Sequence, residues 1–292
     1  MGGLTVINWA GFKAAISYTF DDTNSSQISN YTKLNDLGVP LTFYLQTNKS
    51  AEIGNQVWAT ARDDGHELGN HSHTHTSNPP LSDLQQANMI IEQNFDVTPL
   101  TMAAPNGTNP TQAPNLFFIN RGVNAGTVAP KSNADLFNLP CYLPPTGAST
   151  DTMNAAVNAA YNGGAWTTYL VHGFTGGSDG AYQPVGINEF VAHVENTKDR
   201  GAGDPAQSMW IDTVLAVGSY FVGQKVISAA TPVASGDSST YSWDLPAHFP
   251  TDRCVRVTVT GGNVTQDGKA LPWNDRGYYE VSLDAGSLTV GP

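Results

Sequence analysis

Short apolar runs alternate with longer stretches of helical period through the first two thirds of the chain. Residues 13–20 (KAAISYTF) form an apolar run closed by a polar turn, the pattern of a strand buried on both faces. Residues 27–37 read as a helix closed by Gly38, and residues 39–45 as a second strand. The same alternation continues with a helix over 54–64 closed by Gly65, a short strand over 66–70, an amphipathic helix over 82–93 and a strand over 100–104. Further on, 151–161 is helical, 165–172 is a strongly apolar strand, and 190–197 and 211–221 have helical character. Alternation of this kind predicts a parallel sheet or an α/β barrel.

The pattern changes near residue 223. Residues 228–240 (SAATPVASGDSST) are small and turn-forming, and are expected to be a linker. Beyond them Val255, Val257 and Val259 alternate with Arg256, Thr258 and Thr260, and two more strand-like runs follow at 278–283 and 287–290. The expected organisation is a distorted (β/α) barrel over 1–222, then a linker and a small antiparallel β unit over 223–292. The tail either caps the larger unit or offers a carbohydrate-binding surface through Trp243, Trp273, Tyr278 or Tyr279.

Composition narrows the partners. The 292 residues hold 25 acids against 13 Lys and Arg, a net charge of −12. No basic stripe is present for nucleic acid, and polyanions are repelled at long range. No apolar run reaches the 18 or more residues of a membrane span. Met1-Gly2-Gly3-Leu4 lacks a signal-peptide pattern. The protein is then either cytosolic or secreted with a leader not in this sequence, and the low share of charged residues, 13%, a balance common in secreted proteins, makes the secreted form the expectation. Six Asn-x-Ser/Thr sites occur, at Asn24, Asn30, Asn48, Asn70, Asn106 and Asn263. In an Asn- and Thr-rich chain they do not fix the compartment. Cys141 and Cys254 either form one bridge or remain two buried thiols.

Three polar clusters fall at the ends of apolar strand runs, where the loops of an α/β barrel converge. In the first, Thr19-Phe20-Asp21-Asp22, two adjacent carboxylates repel unless a cation joins them. The alternative is a plain turn or helix cap. The second, His71-Ser72-His73-Thr74-His75, holds three imidazoles in five residues. On a helical turn His71 and His75 share a face, while on a strand all three do. Two histidines and one carboxylate leave open positions on a metal, as a catalytic site requires. The third is His172, ending Tyr169-Leu170-Val171-His172, either a hydrogen-bonded core histidine or a general acid.

These residues, in this order, resemble the polysaccharide deacetylases of carbohydrate esterase family 4. That family is marked by T-F-D-D, H-[S/T]-x-x-H, R-x-P-Y and a late strand ending in Leu-x-His. Thr19 to Asp22 matches the first, His71 to His75 the second and Leu170-Val171-His172 the last. Gly65 to Asn70 also looks like the family's lead-in to its histidines, and the resemblance spans roughly residues 8–222. There are departures. Met102-Ala103-Ala104-Pro105-Asn106-Gly107 stands where the family has F-R-x-P-Y-G, so Ala103 replaces the arginine that orients the base and Asn106 the tyrosine whose amide binds the oxyanion. Arg62, Arg121 or another cation must take the arginine's place. No match to the family's D-x-x-D-W motif is found.

The resemblance implies a divalent metal, zinc by preference, on Asp22, His71 and His75, with Asp21 as general base and His172 as general acid. The substrate it implies is an acetylated glycan: chitin oligomers, peptidoglycan or acetylxylan. Pro105, Asn106, Trp166 and Trp210 are the expected substrate-binding residues. Two other readings are a glycan-binding protein on a decayed esterase scaffold and a hydrolase of a non-glycan amide.

Overall fold

The computed structural model describes residues 3–292; Met1 and Gly2, the first residues of the stretch that lacks a signal-peptide pattern, lie outside the described residues. Strand β1 (Leu4–Val6) is followed by β2 (Ala14–Phe20), whose seven residues are all buried. The stretch expected as one helix is two, α1 (Ser25–Ser29) and α2 (Tyr31–Asn35), divided at Asn30, whose φ of −103° and ψ of 6° leave the helical region. Then come β3 (Thr42–Leu45), α3 (Ser50–Ile53), α4 (Val57–Asp63), β4 (Glu67–Asn70), α5 (Leu81–Phe95) and β5 (Thr101–Ala103). Two short strands without a sequence signature follow, β6 (Ile119–Arg121) and β7 (Cys141–Tyr142). The barrel unit finishes with α6 (Thr150–Gly163), β8 (Trp166–Val171), α7 (Ile187–Lys198), β9 (Met209–Ile211) and α8 (Val214–Ala229).

The strands pair in parallel in the order β6-β5-β4-β3-β2-β8-β7, with β9 beside the first half of β2. A parallel bridge between Arg121 and Leu139 joins the two ends of that order, giving a nearly closed seven-strand barrel. Alternation along each strand sorts side chains between two cores. Ile16, Tyr18 and Phe20 pack outward against the helices, with Trp58, Phe190 and Val194. Ala15, Tyr44, Ala103, Ile119 and Trp166 pack inward, where Val217 and Phe221 of α8 join them. Gly69 is fixed by this inner layer. A Cβ there would lie 2.5 Å from the Tyr44 ring.

α7 is tied to β2 through a buried histidine. The Tyr18 hydroxyl lies 3.1 Å from His193 Nε2, and Asn154 Oδ1 lies 2.7 Å from His193 Nδ1. Burial, with Arg200's charge acting the same way, pulls the imidazole down from 6.5 to about 4. Between those values the unfolded chain binds a proton that the folded chain refuses. The stability of neutral His193 is complete above pH 6.5 and is lost as the pH falls toward 4. The loss is about 3 kcal/mol, from about 1.36 kcal/mol per pH unit. Urea unfolding of His193→Gln is expected to be flatter across this range than that of the parent. Equal slopes would refute this reading of His193.

The tail is two antiparallel sheets. Its strands are β10 (Val233–Ser235), β11 (Ser238–Ser242), β12 (Cys254–Val259), β13 (Asn263–Gln266), β14 (Lys269–Ala270), β15 (Tyr279–Ser282) and β16 (Ser287–Gly291). One sheet has the order β10-β11-β16-β13-β14. The other is β1-β12-β15, so the N-terminal strand completes it. Residues 228–240, expected as a linker, hold the end of α8 and strands β10 and β11 instead, and position 222/223 lies within α8. Val255, Val257 and Val281 pack with Tyr220 and Ile227 of α8. Of the four tail aromatics named for a carbohydrate-binding surface, Trp243, Tyr278 and Tyr279 are buried and Trp273 is exposed. The two cysteines are free: Cys141 is buried in β7 and Cys254 is exposed in β12. No helix among the described residues is long and apolar enough to cross a membrane.

Candidate active site

The inward series of β2 ends at Asp21, and the chain then turns through left-handed backbone at Asp22 (φ 75°) and Thr23 (φ 54°). This sets both carboxylates at the C-terminal mouth of the barrel. β4 delivers His71 to the same mouth. Left-handed residues at Ser72 (φ 62°) and His75 (φ 56°) then fold the loop back on itself. Asp83, in the first turn of α5, holds that loop by accepting from the His73 and Thr74 amides at 2.8 and 3.1 Å. Asn70 Oδ1 accepts from the Ser72 amide at 2.6 Å. These bonds make the loop neither a helical turn nor a strand. His73 is carried away, its Nδ1 3.0 Å from the Thr47 hydroxyl.

Asp22, His71 and His75 converge. Asp22 Oδ1 lies 3.2 Å from His71 Nε2 and 3.1 Å from His75 Nε2, and the two Nε2 atoms are 3.1 Å apart. A tetrahedral ion with bonds of about 2.0–2.1 Å keeps neighbouring ligand atoms about 3.3 Å apart, so the triangle has the size of a coordination face. The protons agree. His71 Nδ1 is 3.1 Å from the Ala103 carbonyl, which only accepts, so Nδ1 carries the hydrogen and Nε2 presents a lone pair. Asp22 Oδ1 is buried without a well-aligned hydrogen-bond donor. A carboxylate oxygen and two imidazole Nε2 atoms therefore face one point at ligand spacing, and a divalent cation fits there. Burial works to raise the Asp22 carboxyl, but when His71 and His75 carry protons on the atoms facing it, their hydrogen bonds and charge outweigh burial and hold it well below the usual carboxylate range.

Asp21 is paired differently. Its Oδ2 accepts from the Arg121 guanidinium, with both side chains buried. Arg121 ends β6 in register with Ala103 of β5, one strand away from the position where an arginine is expected. Its guanidinium also donates to the Gly122 carbonyl at 2.9 Å and lies 5.6 Å from the Tyr44 ring centroid. Arg62 is elsewhere, bonded to Asp63 and the Phe95 carbonyl. Gln27 ties the ends of two strands together, donating to the carbonyls of Asp21 (2.5 Å) and His172 (2.7 Å). The His172 imidazole faces the same pocket. Burial lowers its pKa, against the pull of Asp21 and Asp22, and its Nδ1 is buried without a partner among the described residues.

The pocket has a volume of about 520 Å³ and is lined by Asp21, Asp22, His71, His75 and His172 together with Asn106, Leu170, Tyr182 and other residues. Asn106 stands on its rim in left-handed backbone (φ 49°), its side-chain amide donating to the His75 carbonyl at 2.6 Å. Pro105 is buried beside it. Trp166 and Trp210 are not brought to this pocket. Trp166 begins β8 and is fully buried, bonded to Ser17, while Trp210 pairs in register with Ala15 near the start of β2. Both belong to the opposite end of the barrel, because a strand's first residues and its last lie a strand length apart. Sequence reading missed Tyr182, Leu143 and Val123, which stand in irregular loops without periodic pattern.

Residues 11–117 match the polysaccharide deacetylase family model, a span that contains Asp21, Asp22, His71 and His75 and stops short of Arg121 and His172. No curated protein matches the chain. Among solved structures, one assigned as a polysaccharide deacetylase from Mycobacterium smegmatis is similar at a TM-score of 0.52 and 16% identity, over 76% of this chain and 94% of that one. The Xyl-CE4 domain of a multidomain xylanase from the hindgut metagenome of Trinervitermes trinervoides aligns at 0.49 and 18%, over 70% and 89%. A peptidoglycan deacetylase from Bacillus subtilis aligns at 0.46 and 15%, over 70% and 90%. Residues 11–117 thus match the polysaccharide deacetylase family, and the barrel around them has the fold of a polysaccharide deacetylase.

Proposed function

We propose that the protein is a metal-dependent hydrolase that removes acetyl groups from an acetylated glycan, with zinc on Asp22, His71 and His75. The supporting observation is the convergence of these three side chains beside an Arg121-paired Asp21 and His172 in one pocket. When bound, the ion supplies a Lewis acid for the acyl carbonyl and lowers the pKa of water. Asp21, held in place by Arg121, accepts the proton of the attacking water. The Asn106 backbone amide is the proposed donor to the developing oxyanion. His172, whose pKa burial lowers, is a ready donor once protonated: it delivers its proton to the leaving amine or alkoxide as the acyl C–N or C–O bond breaks, and the proton that Asp21 took from water restores the balance. The reading of a decayed glycan-binding scaffold rests on the missing arginine, and Arg121 beside Asp21 removes that ground.

The pocket lining contains no lysine or arginine, and the chain carries −12 overall, so neutral glycans such as chitin oligomers or acetylxylan are favoured over acidic ones. Acetate release is the test, measured on chitin oligomers, peptidoglycan, acetylxylan and a non-glycan acetamide. Release from a glycan, lost with chelator and restored by zinc, is expected. Release confined to the acetamide would reassign the substrate, and release unaffected by chelator would remove the metal. Asp21→Asn is expected to keep the ion while losing about 10²–10⁴-fold in rate.

A further inference from the structure

The pocket has two unlike sides. Asp21, Asp22, His71 and His75 form one, reached from β2 and β4. Opposite them the loops after β8, β7 and β6, neighbours around the barrel, contribute Tyr182, Leu143 and Val123. Two of these are exposed: Tyr182 at 60% and Val123 at 38%. The other large apolar side chains exposed among the described residues, Met89, Val233 and Trp273, lie away from this pocket. Exposed apolar surface gathered on a pocket rim marks a contact with a ligand.

Tyr182 leans on the proposed acid and rides on a latched loop. Its ring meets the His172 ring at 87°, with centroids 5.4 Å apart. The loop that carries it is closed at its neck, where the Thr175 amide donates to the Val185 carbonyl (2.9 Å) and the Val185 amide to the Gly173 carbonyl (3.2 Å). Its middle is latched by Asp179, whose carboxylate accepts from the Ser26 amide at 2.6 Å and the Ala181 amide at 3.2 Å. Gly173 permits the close approach. A Cβ there would lie 2.5 Å from Ser26 Oγ and 2.7 Å from Ala181 Cβ. An aromatic ring on a braced loop, largely exposed and beside the proposed acid, offers a face for stacking, which the C–H face of a pyranose supplies.

We propose that Tyr182 is the specificity-determining platform on which a sugar ring of a neutral glycan stacks. This rests on the glycan reading above and gives its substrate class an anchor. The test is binding of xylotetraose and cellotetraose, neutral glycans without acetyl groups, to the metal-loaded protein by titration calorimetry. The expected result is measurable binding by the parent, Kd within about twofold of the parent for Tyr182→Phe, and at least tenfold weaker binding for Tyr182→Ala. Absence of binding by the parent, or equal binding by Tyr182→Ala, overturns the platform. Acetate release by the same parent preparation is scored separately. Tyr182-dependent binding without acetate release leaves the platform standing and sinks the hydrolase. Release without Tyr182-dependent binding does the reverse.

Discussion

Asp22→Ala and His75→Ala are each expected to empty the protein of its divalent ion and to cut acetate release on the order of 10³-fold or more. Losing a mere hydrogen-bond partner of a metal ligand already costs about 10–100-fold in affinity, and loss of one of only three protein ligands costs more. The three ligand atoms stand 3.1–3.2 Å apart, and these residues form the described cluster able to hold an ion. His73→Ala is the internal control, since its ring pairs with Thr47 and not with the triangle. Metal content by elemental analysis, with circular dichroism to verify folding, checks the set. Full metal content in Asp22→Ala or His75→Ala would show that the ion sits elsewhere.

Arg121→Met should lower stability by about 3–5 kcal/mol, because it leaves the Asp21 carboxylate buried with its charge unpaired. Turnover should fall as well, since the guanidinium fixes the orientation of the proposed base. Arg121→Lys keeps the charge but loses the planar fork, and is expected to recover stability better than rate. Register supplies a sharper test. Ala103 and Arg121 are cross-strand partners, so a guanidinium restored at 103 starts about 4.8 Å from the lost one. Ala103→Arg in an Arg121→Ala background should recover part of both losses. Urea unfolding and steady-state kinetics measure them. Wild-type stability and rate in Arg121→Met would remove the pair from the account.

The candidate triangle of Asp22, His71 and His75 was legible in the sequence because its residues follow strand patterns: Asp22 comes two residues after the run that becomes β2, and His71 and His75 follow β4. What the spacing left open was the loop geometry. It was settled by Asp83 and Asn70 gripping backbone amides, which no periodicity announces. Arg121 was one of two named candidates, and choosing it required the pairing of β5 with a three-residue strand too short to leave a pattern. Trp166 and Trp210 were placed by residue type rather than by position along their strands, and direction puts them at the other end of the barrel. Tyr182 sits in a glycine-rich loop whose shape comes from contacts with α1, so its role could be read only from the fold. In the tail, the Val255–Val257 alternation gave the sheet, but not its completion by β1 from the far end of the chain.

A crystal of the protein soaked in zinc, with anomalous scattering recorded on both sides of the zinc absorption edge, addresses the whole account at once. The arrangement requires one strong anomalous peak at about 2.0–2.2 Å from Asp22 Oδ1 and both imidazole Nε2 atoms. A fully loaded crystal with no peak there, or with its only peak outside this pocket, would contradict it.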